Sequence, residues 1–213
     1  MDVMGEAKNQ LLNRIPLVRE SRFGIELEIP HPEALKNYYL EEKRLGRDLP
    51  FPFWSKVWPA ALGLCRYLEE NPKLVENKRL LELGAGLGLP SFLCSKTAVF
   101  AIASDYNEDA VGLIAHNIRR NQIRNLEAIH IDWNKIPEDL VFDIVLMSDV
   151  NYAPADFGPL LKTIQTLIRN KTKIILSSPQ RLAGRDFVKK LGPDFRDSAH
   201  YELEGQEIRV YVS

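Results

Sequence analysis

Apolar and polar residues alternate with two different periods along most of the chain, and these periods predict strands followed by helices. Short apolar runs of strand length occur at 80–83, 97–104, 126–131, 142–147 and 173–177. Apolar residues at helical spacing precede or separate them, at 60–70, 108–121, 157–168 and 185–191. This order is typical of a parallel sheet whose strands are joined by crossover helices, so we expect an α/β fold.

The first fifty residues depart from this alternation. Residues 1 to about 22 predict a short helix and then an irregular stretch, residues 23–29 a strand, and residues 33–45 a helix. We therefore expect an N-terminal extension over residues 1–50 packed on a core domain over residues 51–213. The end of the chain departs in a different way, since its last two predicted strands are joined by a tight turn and form an antiparallel hairpin.

A glycine-rich stretch, LLELGAGLGLP at residues 80–90, joins a predicted strand to an apolar run that could begin a helix. Glycine permits a tight turn and lets a ligand approach the backbone closely. The dinucleotide fingerprint needs its third glycine where Leu89 stands, and the Glu82 carboxylate would repel a pyrophosphate but favour a cationic ligand. The stretch thus favours a positively charged nucleoside such as S-adenosylmethionine, although a purely structural turn has the same local pattern.

Polar residues follow the predicted strands, where ligands bind in open α/β sheets. Asp105 ends the second strand of the core and can accept hydrogen bonds from ribose hydroxyls. Asp132 ends the third strand and could accept a hydrogen bond from an adenine amino group, and Trp133 offers a flat face for stacking. The segment 48–59 before the first core helix holds three prolines and four aromatic residues, which suits either core packing or a flap over a pocket.

Composition narrows the function classes. Hydrophobic residues make up 45% of the chain, and 28 Lys and Arg against 29 Asp and Glu leave a net charge of -1. No overall basic field exists to hold nucleic acid, so no nucleic-acid partner is expected. Two cysteines predict buried free thiols in a reducing compartment. The polar first ten residues and the lack of a long apolar run predict neither a signal peptide nor a membrane span, and we expect a cytoplasmic protein.

Other catalytic signatures are missing from the sequence. The four histidines are scattered without metal-ligand spacing, so no metal site is expected. Neither the G-x-S-x-G elbow of hydrolases nor the P-loop of nucleotide hydrolases occurs.

Taken together, residues 51–213 resemble the seven-strand class I methyltransferases, whose motif I is E-x-G-x-G-x-G. Within that class the chain looks most like the D-x-x-Y protein-lysine methyltransferases, often labelled nicotinamide N-methyltransferase-like. Three stretches carry this resemblance: VWPAA at 57–61, IDW at 131–133 and DVNY at 149–152. The resemblance implies a Rossmann-like, seven-stranded, mostly parallel sheet with helices on both faces and a reversed last strand.

The same resemblance implies S-adenosylmethionine as cofactor and a set of site residues. The expected cofactor-binding residues are Trp58, Glu82, Gly84, Ala85, Gly86, Gly88, Asp105, Tyr106, Asp132, Trp133 and Ser148. The expected catalytic residues are Asp149, which orients the incoming amine, and Tyr152, which lines its channel, with Trp58 or Trp54 closing the mouth.

Four functions fit the sequence to different degrees. The favoured one is N-methylation of a lysine side chain on a protein substrate. A small-molecule N-methyltransferase would use the same cofactor site, and a catalytically silent binding module could keep the fold. An NAD-linked oxidoreductase is disfavoured by Leu89 and Glu82. The sequence leaves open the substrate, the choice among lysine, histidine and an N-terminal amine, the number of methyl groups and the oligomeric state. A side chain such as Asn151 or Arg181 could contact the substrate, but the sequence does not rank them.

Overall fold

The computed structural model describes residues 11, 13–47, 49–136 and 141–213. Its strands are β1 (Leu17–Arg22), β2 (Ile25–Pro30), β3 (Arg79–Leu83), β4 (Phe100–Asp105), β5 (Leu126–His130), β6 (Ile144–Ser148), β7 (Lys173–Pro179), β8 (Arg196–Leu203) and β9 (Gln206–Val212). Its helices are α1 (Pro32–Arg44), α2 (Pro59–Glu70), α3 (Leu89–Cys94), α4 (Glu108–Arg120), α5 (Phe157–Arg169) and α6 (Leu182–Leu191).

Seven strands form one sheet in the order β5-β4-β3-β6-β7-β9-β8. The first five in that order are parallel, and β9 runs antiparallel to both β7 and β8. The predicted fold class, including the C-terminal antiparallel hairpin, is therefore confirmed. From β3 the chain first moves outward through β4 and β5 and then returns to place β6 on the other side of β3. That reversal opens a crevice at the carboxyl ends of β3, β4 and β6, where ligands bind in such sheets.

Helices cover both faces of this sheet because neighbouring residues of a buried strand point to opposite sides. Leu80 of β3 packs in one core cluster with Leu64 of α2 and Leu113 of α4. Leu81 packs in a second cluster with Leu160 of α5. Thus α2, α3 and α4 lie on one face, and α5 and α6 lie on the other. Packing on both faces fixes the carboxyl ends of the strands relative to one another.

The N-terminal residues differ from the sequence prediction. The stretch 17–22, expected to be irregular, is strand β1, and it pairs along its whole length with β2. A turn at Phe23 and Gly24, both with positive φ, joins the two strands. The alternation in LVRESR is too short to distinguish a strand from a helical turn until its partner is known. The helix predicted near the start falls largely on residues 1–10 and 12, which lie outside the described residues.

The β1–β2 hairpin docks on the core through a buried amide. Asn117 of α4 is fully buried, its Oδ1 accepts from the Glu28 backbone N–H at 2.7 Å, and its Nδ2 donates to the Glu28 carbonyl at 2.9 Å. The His116 ring nitrogen Nε2 lies 2.7 Å from the Glu28 carboxylate. These contacts fix the hairpin on α4, whereas the domain division at residue 50 stays a prediction. No helix in the described ranges is long and apolar enough to cross a membrane.

Candidate active site

A cavity of about 540 Å³ lies at the carboxyl ends of β3, β4 and β6. A volume of this size accommodates a nucleoside cofactor together with part of a second molecule. Both predicted catalytic residues line it, and so do ten of the predicted cofactor-binding residues: Trp58, Gly84, Ala85, Gly86, Gly88, Asp105, Tyr106, Asp132, Trp133 and Ser148. The structure therefore brings together almost the whole predicted set, and Glu82 is the exception.

The glycine loop forms the floor of the cavity, and its backbone needs residues without a Cβ. Gly84, Gly86 and Gly88 have φ values of 64°, 57° and 73°, in the left-handed region that side chains disfavour. A Cβ on Gly84 would lie 2.9 Å from Cγ1 of Val150, and one on Gly86 would lie 3.4 Å from the Trp54 carbonyl oxygen. The loop is thus packed tightly from both sides and presents its backbone to the cavity.

Asp105 holds this loop and faces the same cavity. Its Oδ2 accepts from the Gly86 backbone N–H at 2.9 Å, and its Oδ1 accepts from the Asn107 backbone N–H at 2.9 Å. Burial raises the pKa of this carboxyl, and the hydrogen bonds from Asn107 and Gly86 act against that rise. Each oxygen has a further lone pair, so the carboxylate can still accept from a bound ligand.

Asp132 and Trp133 form the adjoining wall after β5. The Asp132 Oδ1 caps a short 3₁₀ turn by accepting from the Asn134 backbone N–H at 2.9 Å. The Trp133 carbonyl accepts from the Thr163 hydroxyl at 2.9 Å, which ties this turn to α5. The indole of Trp133 reaches the loop, 3.3 Å from where a Cβ on Gly84 would stand. A fixed aromatic face therefore lies beside the glycine loop.

Glu82 occupies a different place from the one expected. The sequence suggested a carboxylate beside a cationic ligand, but this side chain is fully buried beneath the loop, on the face covered by α3. Its Oε2 accepts from the Ser91 backbone N–H at 3.0 Å and from the Ser91 hydroxyl at 2.5 Å. Its Oε1 has no hydrogen-bond partner among the described residues. Strand alternation turns Glu82 away from the cavity, so its contacts fix the start of α3 instead.

The buried Glu82 makes the stability of the fold depend on pH. Burial raises the pKa of this carboxyl from 4.5 to about 8, so the folded protein holds a proton that the unfolded chain releases. The contribution to stability is complete below pH 4.5 and is lost as the pH rises towards 8. Over this range the unfolding free energy of the wild type should fall by up to about 1.4 kcal/mol per pH unit from this group alone. We expect Glu82→Gln to remove that slope, as measured by urea unfolding at several pH values.

A matched control for this prediction is Glu69→Gln, which changes an exposed glutamate on α2. This variant should keep the wild-type slope. An equally steep slope in Glu82→Gln would show that another group causes the pH dependence.

Asp149 stands at the end of β6 in a conformation that few side chains adopt. Its φ is 52°, and its backbone N–H donates to the Ser177 carbonyl at 3.0 Å. The carboxylate is only 12% exposed and lies 3.5 Å from Nη2 of Arg181. Burial raises its pKa to about 6, while the positive charges of Arg181 and Lys56 act to lower it. A strained and partly desolvated carboxylate facing a cavity is typical of a functional group.

Aromatic side chains surround the mouth next to Asp149. The Phe53 ring lies 5.4 Å from the Tyr152 ring and 6.2 Å from the Trp58 ring, centroid to centroid. The Trp58 indole N–H donates to the Phe53 carbonyl at 2.6 Å, and Lys56 Nζ lies 3.8 Å from the centre of the Trp58 ring. Trp58 therefore stands at the mouth. Trp54 is buried, only 7% exposed, and its backbone packs against the glycine loop.

Two residues of this mouth, Phe53 and Lys56, were not among the site residues predicted from the sequence, and Arg181 was predicted only as one of the side chains that could contact the substrate. The signal for the first two was present, because they lie in the proline-rich aromatic segment already singled out. Arg181 had no local signal, since only the approach of β7 to β6 brings it beside Asp149.

The sheet order and the cavity at the reversal of strand order define the seven-strand methyltransferase class. The fold is similar, with a TM-score of 0.64, to that of the T. thermophilus 16S rRNA N2 G1207 methyltransferase, solved with AdoMet and guanosine. The likeness covers 93% of this chain and 50% of that chain at 18% identity, and it shows the fold alone.

A family model described as lysine methyltransferase matches residues 53–193, more than half of the chain. The matched range contains the glycine loop, the strand ends that line the cavity and most of the aromatic mouth. The chain therefore belongs to this lysine methyltransferase family.

Two relatives carry names that differ in their substrate. The mouse histone-arginine methyltransferase METTL23 is 29% identical over 152 residues, which are 68% of this chain and 60% of that protein. The Xenopus tropicalis protein N-lysine methyltransferase METTL21A is 27% identical over 181 residues, which are 82% of this chain and 83% of that protein. The chain thus spans less than two thirds of the mouse relative and most of the frog one.

Proposed function

We propose that this protein binds S-adenosylmethionine and methylates a lysine side chain of another protein. The observation that carries the proposal is the position of Asp149. This nearly buried carboxylate lies within an aromatic mouth, on the same cavity as the glycine loop and Asp105. One cavity thereby offers a nucleoside site at one end and a site for a cationic side chain at the other.

The residues of the inner end fit the cofactor. The bare backbone of the glycine loop leaves room for an amino-acid portion, the Asp105 carboxylate can accept from ribose hydroxyls, and the Trp133 indole can stack on the base. When bound, S-adenosylmethionine supplies a methyl group carried on a cationic sulfur. The acceptor nitrogen forms the new bond to the methyl carbon as the carbon–sulfur bond breaks, and the sulfur leaves as a neutral thioether. The protein must then align a nitrogen with that methyl group and keep the nitrogen unprotonated.

The outer end suits lysine. Asp149 can accept a hydrogen bond from the incoming amine and orient its lone pair inward. The rings of Phe53, Trp58 and Tyr152 would exclude water once a substrate side chain fills the mouth. A water-poor site disfavours the ammonium form and so helps a lysine to lose its proton to solvent. The mouth is open to solvent, since Phe51 is 65% exposed and Tyr152 is 47% exposed, which favours a side chain on a protein over a small metabolite.

Arginine is the second candidate acceptor, and one contact favours it. The Arg181 guanidinium lies 3.5 Å from Asp149, which shows that this carboxylate can pair with such a group. Lysine remains preferred, because its side chain has a pKa of about 10.4, whereas the pKa of an arginine side chain is above about 12. A single carboxylate with a pKa of about 6 is a weak base for either group, so ease of deprotonation decides.

Isothermal titration with S-adenosylmethionine, with NAD as a parallel control, tests the cofactor site. Binding of S-adenosylmethionine alone is expected. Labelled methyl transfer into a protein extract, compared with a metabolite extract, then tests the substrate class, and mass spectrometry of the labelled protein identifies the modified residue. Binding without transfer to any protein would contradict the proposal and favour a small-molecule substrate or a silent binding module.

A further inference from the structure

Arg181 is the residue directly before α6, two residues after the end of β7, and it lines the cavity. Its Nη2 lies 3.5 Å from Oδ2 of Asp149 and also donates to Oε1 of Gln206 at 3.3 Å. We propose that Arg181 is a positioning residue for methyl transfer, which holds the Asp149 carboxylate and balances its charge when the acceptor nitrogen enters. This inference rests on the proposed function, because it concerns the same acceptor site.

Buried contacts fix the backbone segments that carry Asp149 and Arg181 relative to each other. Asn151, only 1% exposed, donates from Nδ2 to the Ser178 hydroxyl at 2.9 Å and to the Gly184 carbonyl at 3.3 Å. A Cβ on Gly184 would lie 2.8 Å from the Pro179 carbonyl oxygen, so this turn packs without spare room. One buried amide therefore ties the loop that carries Asp149 to the turn that carries Arg181.

The charged groups around Asp149 single out Arg181. The segment before α2 contributes Lys56, whose ammonium lies over the Trp58 ring, and the segment between β6 and α5 contributes Tyr152 and Asp156. Asp105 faces the cavity from β4. Among the described residues, the one ion pair of Asp149 is with Arg181.

The ion pair between Asp149 and Arg181 meets two opposing requirements: the acceptor nitrogen must be oriented, and it must also be unprotonated. A lone carboxylate would orient a lysine but would also stabilise its ammonium form, which cannot accept a methyl group. A carboxylate already balanced by a guanidinium still accepts a hydrogen bond while favouring the ammonium much less. Arg181 thus lets Asp149 orient the nitrogen without holding its proton.

The test is the pH profile of methyl transfer, with protein extract as the acceptor and Arg181→Gln as the variant. Without the guanidinium, both the Asp149 carboxyl and the acceptor ammonium should hold their protons to higher pH. We expect the rising limb of the profile to move to higher pH by about one unit, since a neighbouring opposite charge shifts a pKa by about one to three units. On the rising limb, below the midpoint of the wild-type profile, activity should then fall about tenfold, and on the plateau above it the activity should largely return.

Two further variants separate charge from structure. Arg181→Lys keeps the positive charge and should restore most of the wild-type profile. Gln206→Ala removes the second partner of Arg181 without changing any charge and should leave the profile in place. A loss in Arg181→Gln that is equal at every pH would overturn the proposal, because it would show a purely structural role.

A titration without substrate keeps the result independent of the proposed function. Carbon NMR of the aspartate carboxyl groups follows Asp149 in the wild type and in Arg181→Gln, with the signal assigned by its loss in Asp149→Asn. The pKa of Asp149 should be higher in Arg181→Gln, and an unchanged titration would overturn the role of Arg181. Absence of methyl transfer by the wild type would instead overturn the proposed function, whatever this titration shows.

Discussion

Asp149→Asn is expected to lower methyl transfer about 100-fold or more while leaving the affinity for S-adenosylmethionine within about twofold. Asparagine tolerates the positive φ of this residue, so the backbone at the end of β6 should keep its conformation. The variant keeps an amide oxygen but loses the charge that balances Arg181, so the unpaired guanidinium would repel a cationic side chain from the mouth. Cofactor affinity should survive because the glycine loop and Asp105 form the other end of the cavity.

The matched control is Asp156→Asn, which removes an exposed carboxylate from the lining of the same cavity. Labelled methyl transfer into protein extract and isothermal titration with S-adenosylmethionine should be measured for both variants. If the turnover of Asp149→Asn were close to that of the wild type, Asp149 would not be the group that orients the amine. An equal loss of methyl transfer in Asp156→Asn would instead show that turnover depends on the total negative charge of the mouth and not on one particular carboxylate.

The glycine-loop end of the cavity was predictable because its signals are local in the sequence. A glycine loop directly after a strand and a carboxylate at the end of the next strand lie within a few residues of the elements that position them. Asp105 and Trp133 therefore lie where their spacing indicated, on the cavity beside the glycines. The same holds for the sheet, since its alternating strands and helices depend on short-range periodicity.

Features that depend on long-range contacts could not be predicted in this way. Strand β1 was missed because it needs β2 as a partner, and the direction of Glu82 depends on which face of β3 receives α3. Arg181 is separated from Asp149 by a strand and a helix, and nothing in the residues next to it indicates the pair. Local patterns thus predict which residues reach the edge of the sheet, whereas packing decides which of them meet.

Asp105→Ala should weaken S-adenosylmethionine binding about 100-fold, the largest effect on affinity that we expect from one side chain. The substitution removes the acceptor that holds the Gly86 and Asn107 backbone N–H groups, so the loop loses its anchor. It also removes the proposed acceptor for the ribose hydroxyls. Hydrogen bonds to a charged group contribute about 1.5–3 kcal/mol each, so losing two of them corresponds to a factor of about 100 or more.

Isothermal titration of Asp105→Ala, Asp105→Asn and Asp109→Ala separates these contributions. Asparagine keeps one acceptor oxygen, so its affinity should lie between those of the wild type and the alanine variant. Asp109 lies in the first turn of α4, so removing its carboxylate should leave binding near that of the wild type. Because burial raises the pKa of Asp105, wild-type affinity should fall as the pH decreases, and Asp105→Ala should lose that dependence. Wild-type affinity in Asp105→Ala would place the nucleoside elsewhere on the cavity wall and leave Asp105 as an anchor of the glycine loop alone.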